Sequence, residues 1–269
     1  MISESDGPFA RKHQEVHLER APLVRVLCQV QWPEHTLLST RFSAVAEEIG
    51  TRLSDEYPLS PVTQGISFEL DTQTGQVRPQ AVPAVRQWVS VDDTWCVYFA
   101  PTFVTLENRG AYTSRQDMTQ RFARVLSVVS ELTSLPAAQR VGWRYVNRIH
   151  DPLEYADLGE LVHATVLGAG AVPAPSNVEL VHSFTESLFR SDRGNLLAKW
   201  GFMPPNATHD ASLAAVSNPS WILDIDAFDE SRSAFDPAQL LERLEELTTL
   251  AYGFFRWSVK ESFIDRFGG

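Results

Sequence analysis

The sequence is short of cysteine, of positive charge and of long apolar runs, and each shortage excludes something. Cys28 and Cys96 are the only cysteines, and both sit in apolar surroundings, Val-Leu-Cys-Gln-Val and Trp-Cys-Val-Tyr-Phe. A cysteine in such a run is a small core residue, and two in 269 residues make no disulfide scaffold, so a reducing, cytoplasmic setting is expected. Lys and Arg number 23 against 34 Asp and Glu, a formal net charge of −11. That deficit argues against non-specific binding to DNA or to anionic membranes, which depends on neutralising phosphates. No apolar run approaches the roughly 18–20 residues of a membrane-spanning helix. The opening Met-Ile-Ser-Glu-Ser-Asp-Gly has neither the basic nor the apolar region of a signal peptide.

Catalytic signatures are missing as well. The sequence holds no HExxH, CxxC, P-loop or GxSxG, and its histidines (13, 17, 35, 150, 163, 182, 209) are scattered. Gly168-Ala-Gly170 follows an expected helix where a phosphate loop should follow a strand, so it reads as a linker. No catalytic residue is assigned, and neither a metal nor a cofactor is expected.

What is present is a chain with 43 % hydrophobic and 21 % charged residues, ordinary for a globular protein with a real core. Residues 1–20 are polar and aperiodic and are expected to form a flexible tail. From Leu23 the chain alternates, with Val24, Val26, Cys28, Val30 and Trp32 on one face and Arg25, Gln29 and Gln31 on the other: a half-buried strand stopped by Pro33. Leu38, Phe42, Val45, Ile49 and Leu53 then recur at helical spacing. Strands are expected over 65–70, 86–91, 95–99 and 102–107, a loop over 72–85, and a helix over 116–134 with Met118, Phe122, Val125, Val129 and Leu132 inward. The order then starts again: a strand over 141–149, a helix over 153–167, strands over 177–190, 196–202 and 221–228, and a loop over 204–219. Asp236-Pro237 opens the last helix as N-cap and first-turn proline.

The expected fold class is therefore α+β: a tandem pseudo-repeat of β-α-β(3–4)-α, with antiparallel sheet and helices on one face. Residues 21–136 form the first repeat and 137–269 the second, together one unit. A shift of 119 residues places Arg144 on Arg25, Pro152 on Pro33, Asp224 on Thr105 and Asp226 on Glu107. The layout is analogous to TATA-binding-protein and GyrI-like folds, an analogy of architecture that carries no function.

One stretch, Val141-Gly-Trp-Arg-Tyr-Val-Asn-Arg-Ile-His150, puts two arginines and a histidine on alternate positions of a strand in an acidic protein. Arg144, Arg148 and His150 share a face, as do Arg25 and Gln29 of the first repeat-starting strand. The guanidinium fork suits a carboxylate or phosphate. The plainer expectation is cross-strand ion pairing, with Asp224, Asp226 and Glu107 as partners. Arg25, Gln29, Arg144, Arg148, His150, Asp224 and Asp226 are thus the candidate ligand-binding residues. Asp224 and Asp226 are two apart and carry oxygen ligands, but no further ligand stands at a telling spacing. Asn147 lies on the apolar parity and is expected to tie a loop or helix end to the strand. Five tryptophans (88, 95, 143, 200, 221) fall on strands, where base stacking is conceivable. Most occupy the core parity, so nucleic-acid binding ranks below a small polar ligand or a protein partner.

The order of Ala21-Pro22-Leu23-Val24, Val30-Gln31-Trp32, Tyr57-Pro58, Trp88-Val-Ser-Val-Asp92, Leu106 to Tyr112, Arg144-Tyr-Val-Asn-Arg-Ile149 and Leu223-Asp-Ile-Asp226 resembles a sporadically distributed, uncharacterised family of bacterial proteins. The resemblance spans most of 21–260, and Arg144 to Ile149 is its most specific piece. It implies no assigned activity; its patchy distribution points to mobile-element or phage-defence accessory proteins. Members carry a histidine in the last helix where this chain has Leu250-Ala251-Tyr252, so no role tied to that histidine is implied. The expected function is a non-enzymatic binding or interaction protein with a polar groove at the repeat-starting strands. The alternative is an enzyme on a small anionic or nucleotide-like substrate, with His150, Asp224 and Asp226 as acid, base or metal groups.

Overall fold

The computed structural model describes residues 7–9, 13, 15–61, 67–70, 77–80, 85–110 and 112–268, with 67–70 and 77–80 described by their backbone. The chain runs β1 (Leu23–Gln31), α1 (Thr36–Leu53), β2 (Ser67–Leu70), β3 (Val77–Gln80), β4 (Arg86–Val89), β5 (Trp95–Ala100), β6 (Phe103–Asn108) and α2 (Arg115–Thr133). It continues with β7 (Ala137–Ala138), β8 (Arg140–Ile149), α3 (Pro152–Ala156), α4 (Leu158–Leu161), α5 (Ala164–Leu167), β9 (Ser183–Ser191), β10 (Gly194–Met203), β11 (Ser220–Asp229), β12 (Ser233–Ala234), α6 (Pro237–Ser258) and α7 (Glu261–Phe267).

Eight strands form one sheet in the order β4-β5-β6-β1-β8-β11-β10-β9, every neighbour antiparallel. The alternation in β1 fixes which face is buried: Val26, Cys28, Val30 and the following Trp32 are fully buried, and their neighbours Arg25 and Gln29 are not. β8 shows the same parity through Trp143, Tyr145 and Ile149. These side chains join Ile49 of α1, Phe122 and Val129 of α2, and Leu247 and Phe254 of α6 in a single core. All five strand tryptophans are buried there, so none offers a stacking platform. The sheet spans both expected repeats, since β1 and β8 pair along their lengths, Cys28 opposite Trp143 and Val30 opposite Val141. The two thiols are buried, which pushes Cys28 well up and Cys96 up to about 11.

Several expectations are corrected. The helix expected over 153–167 is three short helices, because Asp157 leaves helical geometry and Val162 is extended. Val162 instead bridges Val259, with His163 N donating to Ser258 O at 3.0 Å and Lys260 N to Leu161 O at 2.9 Å. The strand expected over 177–190 begins only at Ser183. Within the expected loop 72–85, Val77–Gln80 pairs with Ser67–Leu70 as an antiparallel ribbon; 72–76 and 81–84 lie outside the described residues. Of the first twenty residues, several described ones make defined contacts: Phe9 packs on Phe189 and Phe254, and Val16 N donates to the Tyr252 hydroxyl at 2.9 Å.

The two sheet edges end differently. At β4, Leu59 and Val89 exchange backbone hydrogen bonds of 3.1 and 2.7 Å, an isolated bridge at the end of that strand. At β9 no described segment pairs with the outer side. Helix α6 starts as its sequence requires, with the Asp236 carboxylate accepting from Ala238 N and Gln239 N at 2.9 and 3.2 Å. Asp236→Ala is expected to cost about 1 kcal/mol, read as a lowered urea midpoint with an unchanged slope.

Candidate functional site

Because β1, β6, β8 and β11 turn one parity to the helices, the other parity carries a largely polar layer on the opposite face, much of it also buried. The segment 204–219 between β10 and β11 lies across this layer. It brings polar groups of its own: Ser212 Oγ accepts from Arg25 Nη1 at 2.5 Å, Asp210 pairs with Arg144 at 2.8 Å, and Ala214 O accepts from Arg148 Nη1 at 2.5 Å. The layer is therefore an arginine array held between a sheet and a loop.

Each expected pairing has a definite outcome. Arg25 pairs with Glu107, whose carboxylate also holds Arg109 at 3.1 Å and accepts from the Tyr98 hydroxyl at 2.7 Å. Arg144 lies opposite Asp226 in the ladder but turns to Asp224, bonding both carboxylate oxygens at 2.7 and 2.6 Å. Asp226 is taken by Arg140 at 2.9 Å. Arg140 can reach it because Gly142 lies between: a side chain at Gly142 would meet the Arg140 guanidinium at 2.6 Å. Gln29 accepts from Arg140 at 3.3 Å and donates to Thr105 at 2.9 Å. Among the described residues Asn147 makes no side-chain bond to a loop or helix end; its amide donates to the β11 carbonyl of Leu223 at 3.3 Å.

His209, Asp210, Arg140, Arg109 and Tyr98 were not singled out by sequence. His209 Nε2 bonds Asp224 Oδ2 at 2.7 Å, with both side chains 2 % exposed. It comes from an aperiodic loop, so no spacing marked it. Asp224 is thus the hub of the second half. Burial alone would raise its pKa, but the Arg144 and His209 hydrogen bonds outweigh that and hold it below the ordinary carboxylate value. Asp226 goes the other way: burial exceeds the pull of Arg140 and Arg144, and its pKa is raised. Arg144 is itself raised, since Asp224 and Asp210 overcome its desolvation.

Arg148 differs from the other arginines. It is 5 % exposed, yet among the described residues no carboxylate pairs with it. Among the described residues its guanidinium donates only to Ala214 O and, at 3.3 Å, to Thr208 Oγ1, and its Nε has no partner. Burial, and secondarily the Arg25 charge, lower its pKa. A groove of about 600 Å³ opens beside it, with Arg25, Arg109, Tyr98, Glu107 and His150 on its walls. A second hollow of about 260 Å³ lies over Arg144, His209, Asp224, Asp226 and Lys199. His150 and the two aspartates therefore line different hollows, and His150 makes no hydrogen bond or ion pair to either aspartate among the described residues. A third cavity of about 250 Å³ lies on the helix side, bounded by Val16, Leu23, Tyr112, Tyr145 and Phe255. Among the described residues no group of three or more His, Cys, Asp or Glu is placed to hold a metal, and no helix is long and apolar enough to cross a membrane.

Fold and site together define the class: an α+β protein with one eight-stranded antiparallel sheet, helices over its apolar face and a loop over its arginine-bearing polar face. Among known proteins, no family model matches the chain and no curated protein matches it.

Proposed function

We propose that the protein is a non-enzymatic binding protein whose ligand is a small anion, a carboxylate or phosphate compound, held in the groove beside Arg148. The observation that carries this is Arg148 itself. A buried guanidinium without a counter-charge is costly unless something compensates it. Three arginines line the groove: Glu107 pairs Arg25 and Arg109, Asp93 also pairs Arg109, and Arg148 has no carboxylate partner among the described residues. Arginine's fork is suited to oxyanions.

The same reading takes the two halves as a pseudo-repeat. Outward from the central β1–β8 pair the order is β6, β5, β4 on one side and β11, β10, β9 on the other. Leu27 stands opposite Glu107, and Val146, its counterpart 119 residues on, stands opposite Asp224. Asp224 rather than Asp226 thus takes the place of Glu107, and the Arg25–Glu107 pair has its counterpart in Arg144–Asp224. The connection between β5 and β6 is only Pro101-Thr102, whereas β10 and β11 are joined by 204–219. That extra segment roofs the groove, and long loops in small domains are commonly binding elements. The enzymatic alternative has less support, because His150 and the two aspartates line separate hollows.

Calorimetric titration with pyrophosphate, citrate and AMP tests the proposal. At least one is expected to bind, and Arg148→Gln to weaken it by about 10–100-fold, the value of a charge-assisted hydrogen bond of ~1.5–3 kcal/mol. No saturable heat with any of the three, or equal affinity in Arg148→Gln, would overturn it.

A further inference from the structure

We propose that the open edge at β9 is an interface between two copies of this chain, joined antiparallel about a two-fold axis at Leu188; this is independent of the anion site. Of the ten exposed large apolar side chains among the described residues, six fall in one stretch: Val172, Val178, Leu180, Val181, Phe184 and Leu188. Apolar exposure gathered on one stretch marks a surface that is covered in use. An uncovered strand edge beside it is a template for pairing.

The backbone sets which residues can pair. Ser191 and Gly194 close the two-residue turn to β10, and Ser183 stands opposite Phe202. In an antiparallel ladder, hydrogen-bonded positions alternate. Ser183, Thr185, Ser187, Phe189 and Ser191 therefore direct their N–H and C=O groups to β10. Phe184, Glu186, Leu188 and Arg190 direct theirs outward.

Charge selects the partner and the register. With Leu188 on the axis, Leu188 meets Leu188 of the other copy, and Glu186 faces Arg190 twice. Arg190 makes no ion pair among the described residues, while Glu186 is more than half exposed and holds only Lys199, at 3.0 Å. Cross-strand opposite charges and apolar pairs are the units that stabilise a ladder. The edge is complementary to itself, and a second copy is the occupant it fits.

Sedimentation velocity over a wide range of loading concentrations tests this. The wild-type mass is expected to rise from the chain's 30.2 kDa towards twice that value. Leu188→Pro removes an outward N–H without touching the β10 ladder, so it should stay folded and monomeric. Glu186→Arg should also be monomeric, and adding Arg190→Glu should restore the dimer by exchanging the two charges. Unchanged circular dichroism and urea midpoints separate loss of pairing from loss of folding. A wild type that stays at the monomer mass, or a Glu186→Arg dimer as tight as wild type, overturns the proposal. So does a double exchange that folds but fails to re-associate.

Discussion

Asp224→Asn is expected to lower the unfolding free energy by about 3–4 kcal/mol, while Asp226→Asn, two residues along the same strand face, changes it by less than ~1 kcal/mol. Asp224 is the shared counter-charge of Arg144 and the hydrogen-bond partner of His209, and its side chain is 2 % exposed. The asparagine keeps the shape but leaves the Arg144 guanidinium with only Asp210 as counter-charge, and replaces one of the two oxygens that Arg144 and His209 share with an NH2 donor. Breaking a buried pair in this way costs more than the pair contributes, because an uncompensated charge stays behind. Asp226 has burial already working against its ionised form and keeps 22 % exposure, and Arg140 retains Gln29 when it is neutralised. Urea denaturation of the two variants side by side measures the contrast.

The same pair predicts a pH dependence. The Asp224 and Asp210 carboxyls are held below their ordinary values, so their contribution is complete above the unfolded value of ~3.9 and is lost as pH falls below it. Asp226 is raised, so its ionisation costs stability, and the cost is relieved as pH falls through its raised value. Wild-type stability should therefore fall steeply below about pH 4, and Asp224→Asn should flatten that limb. An unchanged acid limb would show that the Asp224 network contributes nothing.

Gly201→Ala is the other severe substitution, expected to cost about 3–5 kcal/mol. Gly201 has φ +149, a conformation side chains rarely adopt. A Cβ there would overlap the carbonyl oxygen of Ser183, which is strand backbone and cannot swing aside. Relief requires pushing the start of β9 off β10. Hydrogen exchange should accordingly quicken at Thr185 and Ser187, whose amides face β10, and stay slow in β1 and β8. Uniform quickening would mean global loss instead of edge detachment.

Much of this architecture was legible because it is periodic. The parity of Val24 to Trp32 and of Val141 to Ile149 identified two strands and their buried faces, and same-parity acids were marked as the partners of Arg144. Non-local geometry was not legible. Arg144 bypasses the residue directly opposite it, and Arg140 crosses Gly142 to take that residue instead. A one-dimensional shift of 119 set Asp226, not Asp224, against Glu107, yet Asp224 is the partner of Arg144; both have the right parity. His209 and Asp210 arrive from a loop with no period to betray them. The helix expected over 153–167 failed for a similar reason: the backbone that interrupts it, at Ser258 and Val259, lies far along the chain.

The bridge between Leu59 and Val89 also bears on how far the pairing proposed at β9 could extend. A sheet with two open ends is a monomer that polymerises; a sheet with one is a chain terminator. With Val89 of β4 engaged by Leu59 and β9 open among the described residues, the proposed pairing would use the open end of each copy. The proposed pair would have sixteen strands, twice the eight of one sheet. Two backbone hydrogen bonds from one leucine would thus favour a finite particle over a filament.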